Sequence, residues 1–192
     1  AFGDGFPEGK RSYDCNGMNN LSFHITDIMT NSIRAKASEI GLFIEERDLR
    51  ITIRIADNGL GMDAGTIARV TNPFYTTRTT RKVGLGIPFL IQNAEQTGGA
   101  VSITSQPGKG TVVTASFCSN HIDCPPWGDL PGTVAMLITG NPDINICFEY
   151  QAVKTVFSIS TSEIKEILDG IPLSYPKVML LVKEMIKENI RP

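Results

Sequence analysis

The stretch Asp57–Met62, Asp-Asn-Gly-Leu-Gly-Met, constrains this chain more than any other. It follows Leu49–Ile55, in which apolar and polar residues alternate as in a half-buried β-strand. Two glycines after such a strand let the backbone come close to a ligand where a Cβ would clash. The Asp57 carboxylate can accept a hydrogen bond from an exocyclic amine such as that of adenine. Turns also use Asp, Asn and Gly, so this stretch alone leaves an ordinary turn as the alternative.

The composition is that of an ordinary globular protein. Hydrophobic residues make up 41% and charged residues 20% of the 192 positions, and the formal net charge is −2. This balance gives no support for broad attraction to nucleic acid or to membranes. No apolar run approaches the roughly 20 residues of a membrane span, and residues 1–20 lack the apolar stretch of a signal peptide. We therefore expect a cytoplasmic protein.

The four cysteines show no Cys-x-x-Cys spacing. A zinc site or a disulfide framework is therefore not expected, and free thiols are the prediction. The cysteines are Cys15, Cys118, Cys124 and Cys147.

We expect three regions along the chain. Residues 1–20 are predicted to be a flexible leader, with Met18 as a candidate natural start. Residues 21–118 form one α/β domain, and residues 119–192 form a small α/β extension of unknown role. The extension is a cap, a partner-binding surface or a homodimerisation element.

Periodicity and turn residues predict the elements of each region. In the domain, helices are expected at Leu21–Ser38, Ala64–Val70 and Leu85–Gln96, strands at Glu39–Ile44, Leu49–Ile55, Ala100–Ser105 and Thr111–Phe117, and a loop at Thr71–Val83. In the extension, strands are expected at Thr133–Ile138, Ile144–Tyr150 and Thr155–Ser160, and helices at Ser162–Leu168 and Pro176–Asn189.

The first helix carries Asp27 and Asn31 four residues apart, so both side chains face the same way. Arg34 and Ala35 follow on nearby turns. A carboxylate and an amide oxygen on one face suit a hydrated Mg²⁺, which prefers oxygen ligands and keeps several waters. The alternative is an ordinary solvated face.

The stretch Thr76–Gly86 combines hydroxyls, cations and a Gly-x-Gly, and it leads directly into a helix. The start of a helix offers free N–H groups and a positive dipole end, which together bind phosphate. The alternative is a mobile basic loop before a glycine turn. Further along, Gly108–Thr111 delivers a Thr hydroxyl into a strand, where it can bind a base edge or simply end a hairpin.

In this order and spacing, these segments resemble the GHKL superfamily of ATP-binding domains. That superfamily includes DNA gyrase B, the heat-shock chaperone ATPases, the histidine kinases and the MutL mismatch-repair proteins. The resemblance covers about residues 21–118. The matching boxes are Asp27–Ala35, Asp57–Met62, Asn72–Thr77 with Gly84–Ile87, and Gly108–Thr111. The third of these is closest to histidine kinases, whereas Asn31–Ala35 is closer to MutL.

The resemblance implies a two-layer α/β sandwich with helices over one face of a mixed, mostly antiparallel sheet. It also implies that Asn31 binds Mg²⁺, that Asp57 binds the adenine amino group, and that Thr111 supports the adenine contact. Gly59 and Gly61 would let the lid approach the nucleotide. The other nucleotide contacts that it implies are Arg34, Ala35, Met62, Phe74, Thr77, Arg78, Arg81, Lys82, Gly84, Leu85 and Gly86.

A dinucleotide fingerprint, Gly-x-Gly-x-x-Ala, also fits Gly59–Ala64 after a strand. We reject a dinucleotide-binding site here because an acid stands two residues before the first glycine and a helix precedes the strand. No clear βαβ unit with a ribose-binding acid follows.

The chain departs from hydrolysing members of the superfamily at Asp27, where those members place Glu as the general base. Asp is one methylene shorter, which makes direct activation of water less favourable. Phosphoryl transfer depends mainly on positioning and charge neutralisation, so transfer to a protein acceptor tolerates a weak base. His24 lies within the first helix and is expected to pack rather than to accept phosphate.

Three functions fit these features. The first is an ATP- and Mg²⁺-binding, histidine kinase-like regulatory protein that phosphorylates a separate protein partner. The second is a slow ATPase that acts as a conformational switch. The third is a non-catalytic module that senses ATP.

Overall fold

The computed structural model describes residues 20–72 and 86–190. These residues form six helices and one six-stranded sheet, and none of the helices is long and apolar enough to cross a membrane. The helices are α1 (Leu21–Arg34), α2 (Ala64–Thr71), α3 (Gly86–Gln96), α4 (Leu130–Gly140), α5 (Thr161–Leu168) and α6 (Pro176–Asn189). The strands are β1 (Glu39–Arg47), β2 (Arg50–Asp57), β3 (Ala100–Gln106), β4 (Gly110–Cys118), β5 (Asn145–Ala152) and β6 (Thr155–Ser160).

The sheet is mixed and mostly antiparallel, in the order β3-β4-β2-β1-β5-β6. Strand β1 pairs antiparallel with β2 and parallel with β5, and the other three pairings are antiparallel. The predicted fold class is confirmed. Residues 119–192 supply β5 and β6 to this same sheet.

One face of the sheet is apolar because alternate residues of each strand point the same way. In β1 and β2 the buried positions are every second residue, and they join the apolar residues of the helices in one core cluster. On the opposite face Phe43 is half-buried, and the Arg54 guanidinium carbon lies 5.2 Å from the centroid of its ring. The result is two layers, with the core between the helices and one face of the sheet.

The start of α1 is fixed by side chain and backbone together. The Asn20 side chain accepts a hydrogen bond from the Phe23 N–H at 2.8 Å, as a helix cap does. The free N–H groups of Leu21 and Ser22 donate to the carbonyls of Pro126 and Trp127 at 2.9 and 3.1 Å. The proline-rich segment after β4 therefore holds the helix that carries the predicted magnesium ligand.

The strand predicted at Thr133–Ile138 is wrong, because these residues lie within α4. Asp129 caps this helix by accepting from the Gly132 N–H at 3.0 Å, and Pro131 lies in its first turn. Most residues of α4 are buried, since α6 packs against it, so its apolar residues show no helical period. A short apolar run buried on several sides cannot be assigned to helix or strand by periodicity.

Helices α1 and α3 meet through a buried polar pair. The Asn93 amide nitrogen of α3 lies 2.9 Å from Nε2 of His24 on α1, and both side chains are buried. The Phe89 ring centroid lies 5.4 Å from that of His24. His24 therefore packs in the helix interface, as the sequence predicts.

The three cysteines within the described residues, Cys118, Cys124 and Cys147, are free thiols, as expected, and Cys15 lies outside those residues.

Stability should fall at acidic pH because of His24. Burial lowers the pKa of His24 from 6.5 to about 4, so between these pH values the unfolded chain binds a proton that the folded chain excludes. The contribution of His24 to the free energy of unfolding is therefore complete above pH 6.5 and falls by up to about 3 kcal/mol as the pH approaches 4. Urea unfolding across this pH range measures the loss.

The variant His24→Leu isolates the contribution of His24 to this pH dependence, because leucine has no ring to protonate. Its stability should fall less than that of the wild type over the same pH range. His121→Leu, on an exposed loop, serves as the matched control and should follow the wild type. If wild type and His24→Leu lose equal stability, burial of the imidazole is not the cause.

Candidate functional site

Asp57, at the end of β2, is held by three hydrogen bonds from three parts of the chain. Its Oδ2 accepts from the Ser32 hydroxyl of α1 at 2.7 Å. Its Oδ1 accepts from the backbone N–H groups of Gly59 and Thr111 at 2.9 and 3.3 Å. Thr111 lies directly opposite Asp57 in the β2–β4 register. The predicted pair Asp57 and Thr111 therefore meets at one point, and the carboxylate has a fixed orientation.

The two glycines after Asp57 allow backbone to pack against backbone. A Cβ on buried Gly59 would lie 2.7 Å from the Ala35 carbonyl oxygen at the end of α1. Gly61 has φ of +66°, and a Cβ there would collide with the carbonyl of Gln106 in the β3–β4 hairpin. The neighbouring Leu60 N–H donates to Ala35 O at 2.9 Å. Ala35 thus supports the turn through its backbone.

A second set of hydrogen bonds joins this turn to the β3–β4 hairpin. The Met62 N–H donates to Ser105 Oγ at 2.8 Å, and that hydroxyl lies 2.9 Å from the hydroxyl oxygen of Thr111. Ser105 also donates to Gly110 O at 2.8 Å, and Gly108 N donates to Leu60 O at 2.7 Å. The segment Gly108–Thr111 is therefore hydrogen-bonded to the turn that follows Asp57, and the Thr111 hydroxyl is held by Ser105.

The polar face of α1 meets the start of α3. Asp27 is half-buried, whereas Asn31 and Arg34 are exposed. A Cβ on Gly86, the first residue of α3, would fall on the Asp27 carboxylate, so the absence of a Cβ lets the two come this close. Burial raises the pKa of Asp27, and the Arg34 charge partly opposes that rise. The structure thus brings the predicted carboxylate against the predicted helix start, and the Asn31 amide follows one turn further along α1.

The oxygens on this face fit a magnesium ion bound together with phosphates. Asn31 offers an exposed amide oxygen, and Asp27 stands one turn before it. Among the described residues, no three His, Cys, Asp or Glu side chains gather as a metal cluster. A cation here would need phosphate oxygens and water as its remaining ligands, which is how Mg²⁺ is commonly held.

The sequence model of one family matches residues 19–120, more than half of the 192 residues. That family is described as histidine kinase-, DNA gyrase B-, and HSP90-like ATPase. This chain belongs to it. The predicted superfamily is confirmed, and the chain contains a histidine kinase-like, nucleotide-binding ATPase domain.

Relatives of this ATPase domain are sensor kinases of bacteria. The chain is 30% identical over 106 residues to the sensor histidine kinase YxdK of Bacillus subtilis, covering 50% of this chain and 32% of that protein. It is 35% identical over 93 residues to the sensor protein kinase FleS of Pseudomonas aeruginosa, covering 47% of this chain and 23% of that protein. The match thus spans about a third or less of each relative.

A solved structure shares the fold. The N-terminal domain of a DNA repair protein superposes with a TM-score of 0.51 and 18% identity, over 73% of this chain and 51% of that one. At this identity the likeness concerns the fold alone. It extends beyond the residues that the family model matches.

Seven predicted nucleotide contacts of the ATPase domain lie outside the described residues. They are Phe74, Thr77, Arg78, Arg81, Lys82, Gly84 and Leu85. The predicted loop Thr71–Val83 also falls there, except for its first two residues.

Two hydroxyls of the site were missed by the sequence reasoning. Ser32 continues the buried stripe of Leu21, Ile25 and Ile28 on α1, and Ser105 continues the alternation of β3. A polar residue at an apolar position needs a hydrogen-bond partner, and Ser32 finds its partner in Asp57. A polar residue at a position where the pattern calls for an apolar one was the signal in the sequence that could have identified these hydroxyls.

Gly61→Ala should destabilise the ATPase domain by about 2 kcal/mol or more, because Ala disfavours this positive φ and its methyl group meets backbone that cannot yield. Urea unfolding measures the change. Gly65→Ala is the matched control, since its Cβ would meet only Asp63 Oδ1 at 3.4 Å within α2. Its stability should stay equal or rise by up to about 1 kcal/mol. Equal effects of the two substitutions would contradict the packing of Gly61 on the hairpin.

Proposed function

We propose that this chain binds ATP with Mg²⁺ and transfers the γ-phosphoryl group to a side chain of a separate protein partner. In that reaction the partner's nucleophilic side chain bonds to the γ-phosphorus. The bond from this phosphorus to the β–γ bridging oxygen breaks, and ADP leaves with the electron pair.

The hydrogen bonding of Asp57 carries the nucleotide part of the proposal. A carboxylate offers about four acceptor positions. Gly59, Thr111 and Ser32 use three of them, and one on Oδ2 remains. An exocyclic amine such as that of adenine can donate to this position, whereas a carbonyl at the same place, as in guanine, would repel the carboxylate. Thr111 pairs with Asp57 in the β2–β4 register, and we expect its hydroxyl to make a second contact with the base.

The phosphate end of the proposed site lies between α1 and α3. Asn31 would hold the cation, and Asp27 and the start of α3 at Gly86 lie near it. Bound Mg²⁺ would neutralise and orient the phosphates. Similarity to named sensor kinases supports phosphoryl transfer, and so does a carboxylate shorter than the Glu of hydrolysing enzymes.

A second candidate function, slow hydrolysis of ATP, is favoured by one observation. Burial raises the pKa of Asp27, and a carboxylate of higher pKa is a better general base for water. Water would then replace the partner's side chain as the nucleophile, and the chain would act as a switch that changes state with its nucleotide.

Calorimetric titration with ATP and a non-hydrolysable analogue, with and without Mg²⁺, tests nucleotide binding. Incubation with γ-labelled ATP and an extract of the producing cells then tests transfer. A protein band that is labelled only when this chain is added to the extract supports the kinase, and steady phosphate release without extract supports the ATPase. Binding with neither outcome identifies a sensor, and the absence of binding overturns the proposal.

Asn31→Ala should abolish the Mg²⁺ dependence of ATP binding, because the exposed amide is the proposed protein ligand of the cation. The fold should survive, since the side chain is exposed. Calorimetry with and without Mg²⁺ measures the effect. Asn189→Ala, on α6, is the control for loss of an exposed helical amide. An unchanged magnesium effect in Asn31→Ala would remove this residue from the site.

Asp57→Ala should weaken ATP binding by roughly 1–3 kcal/mol because the adenine amine loses its acceptor. GTP, which has a carbonyl at that position, should not lose affinity. The substitution also leaves three donors without their acceptor, so binding is measured where the variant is fully folded. Asp143→Ala, at an exposed loop, controls for the lost charge. Equal losses for ATP and GTP would contradict the assignment.

A further inference from the structure

Helices α1 and α3 touch at two polar points. Nε2 of His24 lies 2.9 Å from the Asn93 amide nitrogen, and Asp27 lies against the backbone of Gly86. Going from the first contact to the second means moving three residues forward along α1, from His24 to Asp27. Along α3 it means moving seven residues back, from Asn93 to Gly86. The two helices therefore run in opposite senses, and the start of α3 is directed toward the half of α1 that carries Asn31.

The contact at His24 lies deep in the interface. His24 is 2% and Asn93 is 5% exposed. The amide nitrogen can only donate, so Nε2 accepts and the ring proton resides on Nδ1. Within the described residues, that buried nitrogen has no hydrogen-bond partner. Among the residues that the structure describes, this nitrogen thus stays unsatisfied, whereas an apolar side chain would have no such group.

Stability alone does not account for such a pair. A buried polar group without a partner costs free energy, and replacing a buried polar pair by apolar residues is often neutral or stabilising. A directional hydrogen bond does something that apolar contacts do not, since it favours one alignment of two helices over alignments shifted along their axes. Buried polar residues are known to fix register in this way.

We propose that His24 and Asn93 form a polar clamp that sets the start of α3 against α1 and so positions the phosphate end of the nucleotide site. Both are positioning residues, because neither belongs to the predicted nucleotide contacts. Asn31 lies two turns beyond His24, and Gly86 lies two turns before Asn93, so a shift at the clamp moves these two groups relative to each other. This inference rests on the proposed binding of ATP.

The adenine end of the site does not depend on the clamp. Asp57 and Thr111 belong to adjacent strands, and their hydrogen bonds involve no residue of α3. A shift of α3 should therefore weaken ligands that carry phosphates and leave adenosine almost unaffected. General loosening of the fold would instead weaken both kinds of ligand.

The test is the double variant His24→Leu/Asn93→Leu, titrated with ATP and Mg²⁺ and with adenosine. ATP affinity should fall at least about tenfold, as the loss of one hydrogen bond to a charged phosphate would cost, whereas adenosine affinity should stay within about twofold. Thr139→Val, which removes a buried hydroxyl from α4, is the control and should bind both ligands as the wild type does.

A conservative variant covers the case in which the double variant fails to fold. His24→Gln keeps an acceptor for the Asn93 amide, so its ATP affinity should stay close to that of the wild type, whereas His24→Leu alone should lose it. Equal ATP affinity in all variants would overturn the clamp, and so would equal losses for ATP and adenosine.

Hydrogen exchange separates failure of the clamp from failure of the proposed function. The amides of Leu90, Ile91 and Gln92, the first in α3 with acceptors inside the helix, should exchange faster in the double variant, while those of β2 and β4 should not. Unchanged exchange overturns the clamp. If the wild type binds neither ATP nor adenosine, the proposed function fails. Faster exchange in the double variant then still supports the helix alignment.

Discussion

The site depends on one carboxylate that ties three elements together. Asp57 accepts hydrogen bonds from α1 through Ser32, from its own turn through Gly59, and from β4 through Thr111. A half-buried carboxylate is costly unless such donors satisfy it. The same bonds that offset this cost place the helix, the turn and the strand in one arrangement. The position of α1, and with it that of Asn31 and Asp27, thus follows from how Asp57 is satisfied.

The sheet that contains Asp57 and Thr111 continues beyond the residues that the family model matches. Strand β1 bonds to β2 on one side and to β5 on the other, so the C-terminal segment completes the hydrogen bonding of a central strand. The Tyr150 hydroxyl of β5 donates to Glu46 of β1 at 2.8 Å. Without residues 119–192, β1 would have an unpaired edge. The segment is therefore part of the fold of the ATPase domain, whatever further role it has.

The sequence predicted the parts of the fold that follow from local pattern. The alternation of Leu49–Ile55 and the stripe on α1 predicted β2 and the first helix, and the family resemblance implied that Asp57 and Thr111 act together. Prediction from the sequence failed at α4, because its apolar residues are buried on several sides and show no helical period. It also missed Ser32 and Ser105, since their partners come from other elements. The approach of Gly86 to Asp27 depends on how two helices pack, which no single segment encodes.

The two ends of the site differ in how firmly they are built. The proposed adenine end, at Asp57 and Thr111, rests on paired strands and on α1, which buries seven of its residues. The proposed phosphate end rests on α3, which buries three residues and contacts α2, which buries none. Elements with few buried contacts open at lower free energy than core strands. A nucleotide would therefore meet a preformed base site and order the phosphate side as it binds. Little apolar packing fixes the position of α3 along α1. The polar contacts between these two helices therefore contribute more to that position than their small area suggests.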